Sequence, residues 1–474
     1  VHSAYSPRTT NSRLPITFYF VAREMSAISP SSPTRNVAVL VLALVIDMLA
    51  FTCILPLFPS IISFYSKEPH RDGLYDFFVS SLASFQRFIG VPYNERYNNV
   101  FFGGFLGSLF SALQFISSPT LGALSDVYGR KTMLLLSAAG TLVSHVMWLR
   151  ADTFTLFVLA RIIGGLSKAN VNVATAIIAD VYEPKDHPKG MALIGASYSI
   201  GFLIGPMIGA YFSVIAPKNA TLFTLPAQFS IVVTFIHFII IALFLKETLD
   251  LKQTKSLSSV TGRASLLLRP SALFKFSAVN APTEKKQRME SIGWTYFLYL
   301  FLYAGLEFTL PFLTHLRFDF GSMQQSKIYL FTGMLMLPIQ GGYVRRTPLH
   351  KQKRLAEIGL MCIIPAFLIC AIANSVYALY VGLALYAIAS ATVVPTLTSL
   401  ISVVHETDKG AVAGVFRSIG ALARALGPIF ASTIFWLLGP NWCYSIGGIS
   451  LVLPLILLRR IPNVESPLEK EKMK

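Results

Sequence analysis

Apolar stretches of about twenty residues return along the whole chain, each separated from the next by a short polar or charged segment. That length matches what an α-helix needs to cross a hydrocarbon core of roughly 30 Å. The pattern predicts twelve spans, at 37–63, 100–121, 132–150, 153–178, 190–215, 225–245, 291–314, 326–344, 355–373, 375–402, 411–437 and 442–460. In lipid each backbone N–H and C=O must be paired inside the segment, so a chain of this kind crosses as helices. The expected fold is an all-α membrane protein, with twelve transmembrane helices in two six-helix bundles, 37–245 and 291–460. A disordered N-terminal tail (1–36), a linker (246–290) and a C-terminal tail (461–474) complete the division. The first methionine is Met25, and the stretch LPITFYFVA (14–22) is too short to span and lacks the form of a complete signal peptide. Residues 1–24 are read as upstream or fragment sequence.

Composition supports this reading. Only 13% of the 474 residues are charged and 54% are hydrophobic, too few charges to cover a soluble surface. The net charge of +17 would suggest nucleic acid in a soluble protein. Here the basic residues sort by loop instead. With the N-terminus inside, and with Arg150, Lys327, Arg459 and Arg460 at span edges counted with the segments they adjoin, 28 of the 40 lysines and arginines fall in the tails and inner segments, 8 in the outer loops and 4 within spans. The asymmetry places both termini and the linker in the cytoplasm and excludes a nucleic-acid partner. The four cysteines all lie in apolar runs, which argues against a disulfide framework. The linker, rich in Ser and Lys, is expected to be solvated, with a lipid-headgroup surface as the alternative. The first outer loop (64–99) is mixed enough to form short helices.

The chain also repeats itself. KGMALIGASYSIGFLIGP (189–206) is echoed by KGAVAGVFRSIGALARALGP (409–428), in the fifth span of each half. Such parallel repeats mark a transporter made of two bundles. The glycines and prolines of the two copies, Gly201, Gly205, Pro206 and Gly209 against Gly427 and Pro428, suit close helix packing and a hinge.

One inner loop, GALSDVYGRK (122–131), concentrates an acid, two bases and two glycines between spans two and three. Glycine allows the tight turn. An acid adds nothing to the positive-inside bias, so topology alone does not explain Asp126. Its carboxylate suits a helix N-terminus, and Arg130 can compete for it. Gly122, Asp126, Gly129 and Arg130 are therefore expected to form a conformational latch, with a topology anchor as the plainer alternative.

Charges within spans are costly and point to function. Five lie well within spans: Asp47, Arg161, Lys168, Glu307 and Arg424. Arg161 and Lys168 stand seven residues apart on one face of span four, and Asn170 and Asn172 extend the polar segment. These four are the candidates for substrate binding or gating. For Lys168 a structural pair is an equal expectation, and for Arg424 a structural role leads. Asp47 and Glu307 are the candidates for proton coupling. Three bases against two acids give a cavity that favours anions. His145 and His237 read as packed core. The Asn219 sequon falls in a short outer loop and is a glycosylation candidate.

The decapeptide also resembles the signature of the major facilitator superfamily, with Gly122, Leu124, Asp126, Gly129, Arg130 and Lys131 in register and departures at Ser125 and Val127. Arg161 and Gly165 are similar to the family's Arg-x-x-Gln-Gly element, with Gly164 in the place of glutamine. Gly201-x-x-x-Gly205-Pro206-x-x-Gly209-Ala210 resembles its antiporter element, with Ala210 in the place of the final glycine. Asp47 followed by LPLFP (55–59), and FLKETL at the end of span six, are family-like as well. Within the superfamily, VPYNERYNNVFFGG (91–104), RIIGGLSKANVNVATAIIAD (161–180), YFLYLFLYAGLEFTLPFLTH (296–315) and RSIGALARALGPI (417–429) resemble the animal tetracycline transporter-like branch.

The resemblance implies that spans one, four, seven and ten line a central cavity, where Asp47, Arg161, Lys168 and Glu307 converge. It implies a secondary active transporter moving small, amphiphilic, drug-like organic anions by alternating access, with proton-coupled antiport as the expected coupling. A receptor or scaffold with the transporter fold, or an uncoupled facilitator, is the alternative. No Ser-His-Asp order, zinc spacing or phosphate loop points to an enzyme, a metal or a cofactor. The expected partners are the cargo, protons and the bilayer, around a monomer. The plasma membrane is the expected location, with an intracellular or nuclear-envelope membrane as the alternative.

Overall fold

A computed structural model describes residues 33–89, 98–182, 187–215, 223–249, 266–279, 281–344, 346–404 and 409–462. Asn219 and residues 1–24 lie outside them. All regular structure among the described residues is helical. Ten helices are long and apolar enough to cross a membrane by length and composition. They account for eleven of the expected spans, because Gly414–Arg460 holds both eleven and twelve, divided at Gly439 where φ is 83°. Span eight is the remaining one, split into Ser322–Pro338 and a π-helical turn Ile339–Val344. Proline brings no N–H to the ladder, so a break at Pro338 follows from the sequence.

Other spans are broken too. Span one runs as Pro33–Thr52, a tight turn Leu55–Leu57 and Phe58–Tyr65, interrupted where Pro56 and Pro59 punctuate LPLFP. Span four is Phe154–Ser167 and Asn170–Val181, with the break at Lys168. Span seven, Thr283–Phe318, starts well before its apolar run. Hydropathy marks the part of a helix that faces lipid, and good helix formers such as the Glu, Lys, Gln and Arg of 284–288 carry it further.

The two halves pack alike. Span five lies along span one and span eleven along span seven, with glycines at each seam. A side chain at Gly201, Gly205 or Gly209 would run into Met48, Thr52 or the Cys53 carbonyl. Thr52 Oγ1 donates to the Gly201 carbonyl at 2.8 Å across the same seam. In the second half, Gly427 approaches the Phe301 carbonyl and Gly305 the Gly427 carbonyl. The repeat read in the sequence is thus a repeat of packing.

Span two packs on span eleven and span five on span eight, joining the halves. Many of the joining contacts lie toward the face opposite the termini. There Phe58 meets Phe308 edge-on at 5.6 Å, Trp436 Nε1 donates to Asn98 at 3.1 Å, and Phe312 and Phe308 fill the space left by Gly103 and Gly107. Toward the termini the halves meet through Arg417, which donates to the Val171 carbonyl at 3.1 Å, and through Ser199 with Gln340.

The first outer loop carries a helix, Gly73–Ile89. Asp72 fastens it, accepting from the Tyr75 N–H at 3.0 Å and the Thr155 N–H at 2.7 Å. Partial burial opposes the Asp72 charge, but these amides outweigh it and hold the carboxyl below its ordinary range. The stretch 266–279 of the linker differs from the expected solvated chain. Within 266–279, Phe276 is fully buried against Gly293 and Ile419, and Phe274 stacks on Trp294 at 3.9 Å. Three aromatic rings outweigh the serines and lysines around them.

If the glycine seam holds the first half together, Gly209→Ala should cost about 1–3 kcal/mol through overpacking. Gly195 has nothing within 4 Å of where a Cβ would stand. Gly195→Ala should therefore be neutral or stabilise by up to about 1 kcal/mol through helix propensity. Thermal unfolding of the two variants in nanodiscs compares them directly, and equal shifts would refute the seam.

Candidate functional site: a cationic cavity in the first half

The site begins at the break in span four. Ending one helix at Ser167 and starting another at Asn170 leaves backbone groups without intrahelical partners in mid-membrane. Span three supplies Ser137, whose Oγ donates to the Ser167 carbonyl at 2.5 Å, accepts from the Ala169 N–H at 3.3 Å and also touches the Asn170 amide. Span two supplies Ser117, donating to the Gly165 carbonyl at 3.1 Å. These serines make an irregular backbone tolerable at membrane depth.

The break aims Lys168 at span one, where Nζ bonds Asp47 Oδ2 at 2.6 Å, both side chains buried. The two charges cancel. Asn170 is buried in the break itself, and Asn172 packs against Gly122 of span two. His237 Nδ1 lies 2.8 Å from the Ala43 carbonyl and His145 Nδ1 3.0 Å from Thr234 Oγ1. His237 is buried, but His145 lines a cavity with Phe51, Ile54, Trp148, Arg161 and Lys168.

Arg161 stands two turns from Lys168 and has a different fate. Its guanidinium lies over the Phe110 ring at 4.2 Å and near the Phe58 ring at 5.7 Å. The buried Nε has no hydrogen-bond partner, and no carboxylate of the described residues lies within ion-pair distance. Cation–π contact supplies on the order of 0.5–2 kcal/mol, short of the cost of a dry, unpaired charge.

Glu307 does not join this group. It sits in the second half, accepting from Tyr386 at 2.6 Å and Tyr303 at 3.1 Å. The two phenols are 2.6 Å apart, and Tyr303 is 2.7 Å from Ser390 on span ten. The expected convergence of four charges therefore resolves into two sites. One is Asp47, Lys168 and Arg161; the other is Glu307 in a cluster of hydroxyls.

The decapeptide folds around Arg130. Its guanidinium bonds Asp126, Ser125 Oγ at 2.6 Å and Asp180 at 2.9 Å. Gly129 adopts φ 96°, which starts span three abruptly. The helix N-terminus is taken by Glu247, whose carboxylate accepts from the Arg130 N–H at 2.8 Å and the Lys131 N–H at 3.1 Å. Sequence reasoning assigned that kind of position to Asp126. Asp126 instead reaches Arg130, four residues on in the same turn, and Glu247 arrives from the end of span six.

Glu247, Asp180, Tyr303, Tyr386, Ser390 and Ser137 were not foreseen. Glu247 had a signal, an acid directly after an apolar run in FLKETL. The tyrosines and serines had none, because such residues are common on apolar helices and only their meeting across spans makes a site.

The Major Facilitator Superfamily family model matches residues 40–428. Major facilitator superfamily domain-containing protein 10 of Mus musculus is 41% identical over 442 residues, covering 92% of this chain and 94% of the relative. The Homo sapiens protein of the same name is 40% identical over 447 residues, covering 92% of this chain and 95% of the relative. The crystal structure of the human organic anion transporter MFSD10 (TETRAN) matches with a TM-score of 0.75 at 38% identity, covering 90% of this chain and 100% of that chain. With two six-helix halves, a parallel repeat and these relatives, the chain belongs to the major facilitator superfamily of multi-pass membrane transporters.

Proposed function

We propose that the chain moves small, amphiphilic organic anions across the membrane by alternating access, with Arg161 holding the anionic group. The observation that carries the reading is the Arg161 guanidinium, without a carboxylate at ion-pair distance among the described residues and framed by phenyl rings. A carboxylate accepts two parallel N–H bonds from such a fork, and the rings offer an apolar body a surface. Lys168 cannot serve alike while Asp47 neutralises it. The human relative's description as an organic anion transporter points the same way. The sorting of basic residues supports cytoplasmic termini, so the tightly joined far face is the outer one. Asp126, Arg130, Asp180 and Glu247 then form an inner-surface latch that holds spans two, three, four and six as one body. Gly205, Pro206, Gly427 and Pro428 give the spans between the halves their hinge.

Coupling to protons is assigned to Glu307 rather than Asp47. Five oxygen contacts join Glu307, Tyr303, Tyr386, Ser390 and the Tyr386 carbonyl, yet the three hydroxyls bring only three protons. A protonated Glu307 supplies a fourth. The carboxyl can therefore hold a proton among these hydroxyls, and a different arrangement of them would release it. Tyr299 shares the Glu307 helix, Tyr329 faces it from span eight and Arg424 acts at longer range from span eleven.

Arg161→Lys should keep normal surface abundance and lower uptake of an aromatic carboxylate about tenfold. Arg161→Ala should lower it about a hundredfold, or roughly 2.8 kcal/mol. Normal uptake by a well-expressed alanine variant would end the reading. The Asp47 pair predicts the opposite pattern. Lys168→Met should lose about 3–5 kcal/mol and most of its surface level by stranding a buried acid, and adding Asp47→Leu should restore the level. Failure of that rescue would return Asp47 to the proton-coupling candidates. In proteoliposomes with a trapped pH indicator, Glu307→Gln should keep anion exchange but lose the proton flux that accompanies net uptake. Unchanged flux would favour an uncoupled facilitator.

A further inference from the structure

Arg161 is not alone in lacking a carboxylate. Arg417 and Arg424 stand seven residues apart on span eleven, two turns, and so share a face. We propose that they form a second anion site with Tyr296 and Tyr198, on the termini side of the cavity, which receives the anionic group of the cargo after it leaves Arg161. The inference rests on the reading of the chain as an organic-anion transporter.

The geometry sets Tyr296 between the two guanidiniums. Gly420 lies on the same face, three residues after Arg417 and four before Arg424. A Cβ there would stand 2.8 Å from the Tyr296 hydroxyl. The ring is locked in that place by stacking on Phe416 at 3.9 Å with 15° between planes, and the side chain is only 5% exposed. Its hydroxyl is turned to Arg424. From the other half, Tyr198 on span five lies within electrostatic reach of both arginines. Two guanidiniums and two phenols thus converge from spans five, seven and eleven.

Neither arginine is neutralised within ion-pair distance by a carboxylate of the described residues. Arg417 bonds the Val171 carbonyl at 3.1 Å and the Met191 sulfur at 3.7 Å, which leaves its full charge in place. Glu307 is within reach of Arg424, but it bonds Tyr386 and Tyr303 instead. Two like charges on one face repel, and inside a membrane that repulsion is screened only by water or by an anion.

The site is open at Arg424, and the opening is not on the lipid side. Arg424 is exposed. Leu426 and Phe430, exposed at 44% and 51%, mark the lipid face of the span. Leu426 is about 200° around the helix from Arg424. Pro428, one turn from Arg424 on its own face, touches Gly104 of the opposite half. Arg424 therefore opens between the halves. The aromatic contacts of Phe58, Phe308, Phe312 and Trp436 lie toward the far face, so the opening leads to the termini side. Span four runs the same way, from Phe154 at the far face to Val181. Arg161 stands earlier on that path and the span-eleven pair later, with the neutralised Lys168 between. The ligand is a carboxylate: a guanidinium fork takes both oxygens and the phenols donate to what remains.

Binding of radiolabelled benzoate to purified protein in nanodiscs tests this apart from transport. Arg424→Gln and Arg417→Gln should each lower saturating label by about half, and Arg161→Gln should remove the other half. Arg424→Lys, which keeps the charge, should retain the label with roughly tenfold weaker affinity. All variants are checked for a monodisperse profile, and the lysine variant carries the test if a glutamine variant fails to fold. Loss of label in the span-eleven variants with none in Arg161→Gln would sink the Arg161 reading while this site stands. Full label in both span-eleven glutamine variants, or unweakened binding by Arg424→Lys, would overturn the site. Displacement of only the span-eleven label by excess chloride would assign it to an inorganic anion and overturn its role for the cargo.

Discussion

Lipid offers a charged side chain no partner, so each charge inside the membrane must find its own. In this chain the constraint is met first between Lys168 and Asp47, and much of the first half is arranged around that contact. The lysine reaches span one because span four stops being a helix there. The interruption survives because Ser137 and Ser117 take up the backbone groups it strands. A buried pair of this kind adds little net stability, since desolvation consumes most of the attraction. Its consequence is positional: it anchors the break in span four to span one and leaves Arg161 without a carboxylate among the described residues.

The same economy shapes the seams. Helices in lipid gain nothing from hydrophobic exclusion, so they associate through close packing and polar contacts. Gly201, Gly205 and Gly209 let span five lie against the backbone of span one, and Gly427 lets span eleven lie against span seven. Near the same residues, span five meets span eight and span eleven meets span two across the halves, where Ser326 donates to the Pro206 carbonyl at 2.8 Å and the Ile429 N–H to Ser108 at 2.8 Å. Each glycine-rich span thus packs closely on its own half and on the other.

The fold was legible because its signals are long. A run of twenty apolar residues survives any detail of packing, and a repeat of glycines at fixed spacing reports a helix face directly. Charges were legible as charges, since each one in a span is conspicuous. Their partners were not. Asp47 and Lys168 are 121 positions apart, and nothing local to either residue says whether Lys168 or Arg161 takes the acid. The choice is made by a helix break whose cause lies partly in Ser137, on a third helix. The tyrosines around Glu307 were hidden for a related reason, because a phenol on an apolar helix is ordinary until two of them meet one carboxyl. Glu247 was the avoidable omission. An acid at the end of span six had to face some helix terminus at that surface, and span three begins with a sharp glycine turn that presents two bare N–H groups.

Closure of the far face and the framing of Arg161 share a side chain. Phe58 lies 5.6 Å from Phe308 of the other half and 5.7 Å from the Arg161 guanidinium. Gly107 keeps the space into which the Phe308 ring fits. Phe58 itself follows the proline-broken turn of span one and heads a short helix that this turn separates from the Asp47 segment. When the halves part on that side, Phe58 loses Phe308 as a neighbour and its packing over the guanidinium is no longer fixed from behind. Under the proposed function an anion on Arg161 would replace part of what the cation draws from the rings. The cost of separating the halves and the cost of leaving Arg161 bare would then be terms of one equilibrium, joined through a single phenyl group.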